Sequence, residues 1–172
     1  NGFSIGILDA ITKQENALFT DSLGAESSQP IEPLANSLVV RMKQDLRDGK
    51  IVLGSFLTHR YHDLSTTYLD SSFLLNASVL GADLEYALPD PSWVISGYIA
   101  KSKVEGHEKV ITAIQRGSAH YFQRPDDDLV VDSSAKNLSG TSSEISLAKI
   151  SGKNLKGSVT YGQVSPGYDV NE

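Results

Sequence analysis

The sequence predicts an all-β fold of antiparallel strands running up and down in chain order. Three observations predict it. Period-2 alternation of apolar and polar residues recurs between Gly, Pro, Asn and Asp punctuation, while helical periodicity is scarce. Strand candidates of ten residues or more exceed the ~5–6 usual in globular sheets. Connections alternate between short and long, as they do around an up-and-down barrel whose turns are short on one side and long on the other.

The candidates lie near 3–12, 37–47, 50–60, 73–88, 93–103, 141–150 and 154–164. "RDGK", "PDPS" and "SGKN" read as tight turns, and 13–36, 61–72 and 104–140 as long polar connections. The last has extended character of its own in "KVITAIQRGSAHYFQ". The whole of 1–172 reads as a single all-β segment, an incomplete piece of a larger barrel.

Composition bounds the function. Of 172 residues, 40% are hydrophobic and 21% charged, which is ordinary for a folded chain. The net charge of −6, with no Lys/Arg run, argues against nucleic acid as a partner. With 0 cysteines there is no disulfide framework, thiolate nucleophile or Cys-ligated metal. No apolar run reaches the ~20 residues of a spanning helix, but a spanning strand needs only ~9–11. The chain opens on "NGFSIGILDA", already strand-like and without a signal peptide, so an internal piece of a longer polypeptide is expected.

Pairing the candidates sorts their side chains by face. A type I′ turn at Asp48-Gly49 sets Leu46 opposite Ile51, Gln44 opposite Leu53, Met42 opposite Ser55 and Val40 opposite Leu57. The reverse face collects Arg41, Lys43 and Asp45, with Gly54 leaving space beside the long basic side chains. A four-residue "PDPS" loop sets Leu88 opposite Trp93, Tyr86 opposite Ile95 and Leu84 opposite Gly97, with Asp83, Glu85 and Tyr98 behind. A three-residue turn near 151–153 puts Leu147, Ile145, Leu155, Val159 and Tyr161 on one face. The expected inversion turns the oily face to hydrocarbon and makes Arg41, Lys43, Asp45, Asp83 and Glu85 lumen-facing. Tyr86 and Trp93, beside a short turn, then belong to a periplasmic aromatic girdle. A half-buried soluble sheet alternates in the same way, so a soluble β-sandwich binding glycans or a protein partner is the alternative.

"RGSAHYFQRPDDDLVVDSSAKNLSG", "ISLAKISGKN" and "VSPGYDVNE" resemble a family of large bacterial envelope proteins. That family shows a Y-F-Q-R-P-D stretch, an L-S-G, a G-K turn and an S-P-G-[FY]-[DE] ending; "GFSIGILDAIT" and "VVRMKQDLRDG" look like it too. Its N-terminal part looks like a family-nine-type carbohydrate-binding module, and its long C-terminal region is a predicted outer-membrane β-barrel. The resemblance covers essentially all of this chain and none of that module. It implies a place in the outer membrane of a diderm bacterium, outer-membrane lipid around the wall and remaining strands from the same or another chain. It also implies membership of a larger envelope complex and a role as scaffold or passage for glycan-derived solutes. It carries no catalytic residue.

Remaining candidates are local. Asp126, Asp127, Asp128 and Asp132 form an oxygen-rich cluster able to hold Ca²⁺, though without the spacing of an EF-hand loop; the other reading is a turn whose Asp residues bond their own backbone. His120, Tyr121, Phe122 and Arg124 group aromatics with polar donors in the longest connection, to contact a sugar or to fold that loop onto the wall. His59 and His62 flank a strand end and point to opposite faces, which suits surface imidazoles better than a metal site. Asp83 and Glu85, ~7 Å apart on one face, keep an envelope polysaccharide-processing enzyme in view. No G-x-S-x-G, H-E-x-x-H or phosphate-cradling loop occurs, and no cofactor is expected.

Overall fold

A computed structural model describes residues 2–65, 68–125 and 128–170. Seven strands form one sheet in the order β1, β4, β5, β6, β7, β8, β9, every neighbouring pair antiparallel. They are β1 (Gly2–Thr12), β4 (Ala35–Leu46), β5 (Ile51–His62), β6 (Leu74–Ala87), β7 (Trp93–Gly106), β8 (Asn137–Lys149) and β9 (Gly157–Val164). Between β1 and β4 a separate hairpin rises, β2 (Glu15–Thr20) with β3 (Glu26–Glu32). One helix, α1 (Glu108–Arg116), lies between β7 and β8. The chain is mostly antiparallel β, and among the described residues the main sheet is open, with β1 and β9 as its edges.

The registers expected for the first two hairpins are present: Leu46 pairs with Ile51, Gln44 with Leu53, and Tyr86 with Ile95. Asp48 and Gly49 have φ of 55° and 83°, and the Lys50 N–H donates to the Arg47 carbonyl at 3.3 Å. Arg47 also has positive φ, 54°, and the Asp45 carboxylate accepts from the Gly49 N–H at 2.7 Å. The third hairpin corrects the expectation. Its loop spans seven residues, 150–156, rather than three, and Leu147 pairs with Val159. The slip is by two residues, so Leu147, Ile145, Val159 and Tyr161 still share a face, whereas Leu155 leaves the strand.

Two long connections carry structure that alternation does not reveal. Residues 15–32 form β2 and β3 although Pro30 and the polar run around it demote a strand reading. Their turn is fixed by Asp21, whose carboxylate accepts from the Leu23 and Ala25 N–H groups. The Tyr68 hydroxyl donates to the Pro30 carbonyl at 2.6 Å and ties the hairpin to the β5–β6 connection. The segment expected to be extended, from Lys109, is helical to Arg116. Its β-branched Val110, Ile111, Thr112 and Ile114 favour strand by propensity, but tertiary packing overrides it. His107 caps the helix through Nδ1, Glu108 and Arg116 complement its dipole, and Ile111 and Gln115 make its buried stripe.

The buried core is small and lies on the unexpected side for a soluble sheet. Ala35, Val79, Ala100 and Val104 are buried, and all face the side that carries Arg41 and Asp83. Leu74, Val104 and Ile111 form the centre, flanked by Ala77, Val110, Ile114, Ala135 and Leu138, so α1 packs on the polar face near the long connections. Gln115, 1% exposed, accepts from the Asp132 N–H at 2.7 Å and donates to the Asp132 carbonyl at 3.0 Å, tying the returning chain to the helix.

Replacing Gln115 by Ala leaves both backbone groups of Asp132 without that partner, at a cost on the order of 1–3 kcal/mol of local stability. Hydrogen exchange should speed up in 107–136 while strand amides of β4 to β6 stay protected.

Candidate functional site

The polar face holds two groups of side chains, one in mid-sheet and one near the long connections. In mid-sheet, Arg41 on β4 reaches across β5 to Asp83 on β6 with both guanidinium nitrogens; Nη2 donates to Oδ1 at 2.7 Å and Nη1 pairs with Oδ2. The bridge passes over Gly54, where a Cβ would fall on the Asp83 carboxylate and the Arg41 guanidinium. The Phe56 ring lies over Gly81, and the guanidinium carbon of Arg41 sits 5.9 Å from its centroid. Tyr98 completes a shallow pocket with Arg41, Phe56 and Asp83, its hydroxyl 3.1 Å from that of Ser142.

All five expected lumen residues lie on this face, but they are not equivalent. Lys43, Asp83, Tyr98 and Glu144 share a row, as do Asp45 and Glu85. Lys43 and Glu85 are exposed. Asp45 is turned toward its hairpin, where it caps Gly49. Asp83 is committed to Arg41, which makes it a bridge anchor rather than one half of a carboxylate pair.

Near the long connections the C-terminal stretch folds back over the sheet. The Ser165 N–H donates to the Thr141 carbonyl, and the Thr141 N–H donates to the Ser165 hydroxyl. The chain then crosses β8 where Gly140 and Gly167 meet; a Cβ on Gly140 would strike the Tyr168 nitrogen, and one on Gly167 the Ser139 carbonyl. The Asp169 N–H donates to the Ser102 hydroxyl at 3.0 Å. His120 closes the arrangement. Its Nδ1 donates to the Pro166 carbonyl at 2.8 Å, and its Nε2 is 3.5 Å from the Asp169 carboxylate, both side chains being buried. Burial and the neighbouring Tyr98 raise the Tyr168 phenol above its ordinary range.

The expected loop-contact residues therefore divide. His120 is buried and holds the tail, Arg124 donates to the His120 and Tyr121 carbonyls, and Phe122 is half-buried. Tyr121 stays exposed, with φ of 47°. Of the aspartate cluster, Asp126 and Asp127 lie outside the described residues. Asp128 is exposed, and Asp132 accepts from the Ser134 hydroxyl and N–H, as the backbone-bonding turn reading expects. No metal-binding group of His, Asp and Glu forms among the described residues.

His62 overturns the surface-imidazole expectation. It is 2% exposed, donates from Nδ1 to the Leu74 carbonyl, accepts at Nε2 from Arg60, and meets the Phe73 ring at a tilt of 58°. Phe73 and Leu74 arrive from the far end of the β5–β6 connection, out of reach of any local reading of the sequence around His62.

The opposite, apolar face is bare. Phe3, Ile5, Ile7, Leu80, Ile99 and Ile145 are all more than half exposed, and no second sheet covers them among the described residues. Tyr86 and Trp93 lie on this face beside the short turn, with Lys149 Nζ 5.3 Å from the Trp93 ring. No protein-family model, curated protein or solved structure matches the chain.

Two tests follow from this geometry. Arg41→Ala or Asp83→Ala alone strands a half-buried charge and should cost about 1–3 kcal/mol, held toward the lower end because each side chain is about a third exposed. Arg41→Met combined with Asp83→Leu should cost less than the sum, and Gly54→Val should match the single losses, all read as thermal midpoints.

Hydrogen bonds from Ser134 hold the Asp132 carboxyl below the usual aspartate range. Its stabilisation of the turn is therefore complete above the ordinary value near 3.8 and is lost as pH falls through the lower folded value. Exchange of the Ser134 amide should quicken only below that point, and Asp132→Asn should remove the pH dependence.

Proposed function

We propose that this chain is a wall segment of a bacterial outer-membrane β-barrel. Its apolar face meets hydrocarbon and its polar face lines an enclosed aqueous space. The observation that carries the reading is the bare apolar band together with its slope. Soluble monomers rarely expose contiguous apolar patches beyond a few hundred Å². Here the band crosses every strand of the main sheet.

Toward the long connections, the residue that ends the apolar run on that face is Leu38 on β4, Leu57 on β5, with Tyr61 alone beyond His59, and Leu80 on β6. It is Ile99 on β7, Ile145 on β8 and Tyr161 on β9; beyond them come Asn36, His59, Ser78, Lys101, Ser143 and Gln163. The boundary descends three rungs, about 20 Å, across five strand-to-strand steps of about 4.8 Å each. A boundary that is level in a membrane slopes this way when strands tilt by about 40°, within the range of outer-membrane barrels.

The polar face suits an interior. Arg41 and Asp83 pair across strands on it, and Gly54, Gly81, Ala100, Ser102 and Ser142 leave room along it. At the end with long connections α1 and the C-terminal stretch fill that space. The segment acts as scaffold or passage, and the resemblance to a family with a carbohydrate-binding module directs the choice of solute to glycan-derived molecules.

A nitroxide scanned over 38–46 in the full-length protein in lipid should report hydrocarbon at even positions and water at odd ones. The opposite phase, or a detergent-free soluble monomer, would overturn the reading.

A further inference from the structure

We infer that the ring containing this sheet is completed by an odd number of further strands, at least three, whose sequence is not that of residues 2–170. This rests on the outer-membrane reading, since hydrocarbon leaves no water to satisfy an open sheet edge. Direction gives the parity. Every neighbouring pair in the sheet is antiparallel, so β1 and β9, the first and seventh strands, run the same way. Joining β1 to β9 within the chain would set parallel strands side by side. Joining the edges of two copies that share one orientation in the membrane gives the same parallel seam, whether β9 meets β1 or each edge meets its like. Antiparallel seams at both edges need an odd number of strands between them, which also yields the even total of bacterial barrels.

Volume gives the minimum. A ring of eight strands has an interior that side chains alone fill. The polar face here holds in addition α1, a helix about 10 Å across, and the stretch that crosses β8 to reach Ser102 on β7. One added strand is too few, and three is the next odd number. The partner strand beside β1 runs toward the short turns. It presents apolar side chains level with Phe3, Ile5 and Ile7, which are 62%, 55% and 66% exposed, and small or polar ones beside Ser4 and Gly6.

None of these 172 residues is a cysteine, so within them only the introduced pair can form a disulfide. In the full-length protein in native membranes, a photo-cross-linking phenylalanine at Phe3 should capture a peptide of alternating apolar and polar residues from outside 2–170. An Ile5→Cys, Tyr161→Cys pair should give neither an internal disulfide nor a disulfide-linked dimer. Capture of 157–164 or of a second copy's β1, either disulfide, or no adduct at all would overturn the inference. A nitroxide at Met42 separates the two ideas: hydrocarbon contact there with a failed cross-link sinks only the strand count, whereas water contact sinks the membrane reading as well.

Discussion

Among the described residues, only one face of this sheet carries cover, and it is the polar face. Burying a Leu, Ile, Val or Phe side chain is worth roughly 1.5–3 kcal/mol, so a row of them left bare represents a large forgone stabilisation unless something apolar meets it. The helix and the C-terminal stretch instead pack where Arg41, Asp83 and Ser102 point. Small residues make this possible. Gly54 admits the Arg41–Asp83 bridge, Gly81 admits the Phe56 ring, and Gly140 with Gly167 admits a backbone crossing. A larger side chain at Gly140 or Gly167 would lift the C-terminal stretch off the sheet, and one at Gly54 or Gly81 would displace the side chains that lie over it.

The Arg41–Asp83 bridge shows how the covered face tolerates charge. A guanidinium and a carboxylate meeting through two parallel bonds satisfy each other's geometry, and the Phe56 ring shields one side of the guanidinium. The bridge also joins strands two apart, so it resists shear between β4, β5 and β6 in a way that ladder bonds between neighbours do not. That makes Asp83 a structural anion. Its chemistry is taken up by Arg41, which removes it from any two-carboxylate mechanism with Glu85.

Strand positions and faces were legible because side-chain alternation and turn chemistry act over a few residues. Asp48-Gly49 announces its own turn, and the register of β4 with β5 follows from it. The 150–156 loop was misread because a register kept by parity alone tolerates a slip of two. Helix α1 is illegible for a different reason: its β-branched residues hide it, and it is stabilised by Val104 together with Leu74 and the backbone of Asp132, which lie well outside its own segment. His62 and His120 followed the same rule. Each looked like a loop residue, and each is buried by partners that no local window contains.

Three stretches far apart in sequence, around His120 to Arg124, Leu138 to Gly140 and Ser165 to Asp169, meet in space. His120 and Arg124 of the H-Y-F-Q-R stretch shape a turn that grips Pro166 and Asp169. Gly140 of the L-S-G and Gly167 of the S-P-G are the two points where backbones cross too closely for a Cβ. Such residues are set by packing, and together they form a lock in the architecture. The lock covers the polar face over β7 and β8, while every described residue of β1 remains exposed. The polar face along β1, where Ser4, Gly6, Leu8 and Ala10 lie, is the part of the sheet that this lock leaves uncovered among the described residues.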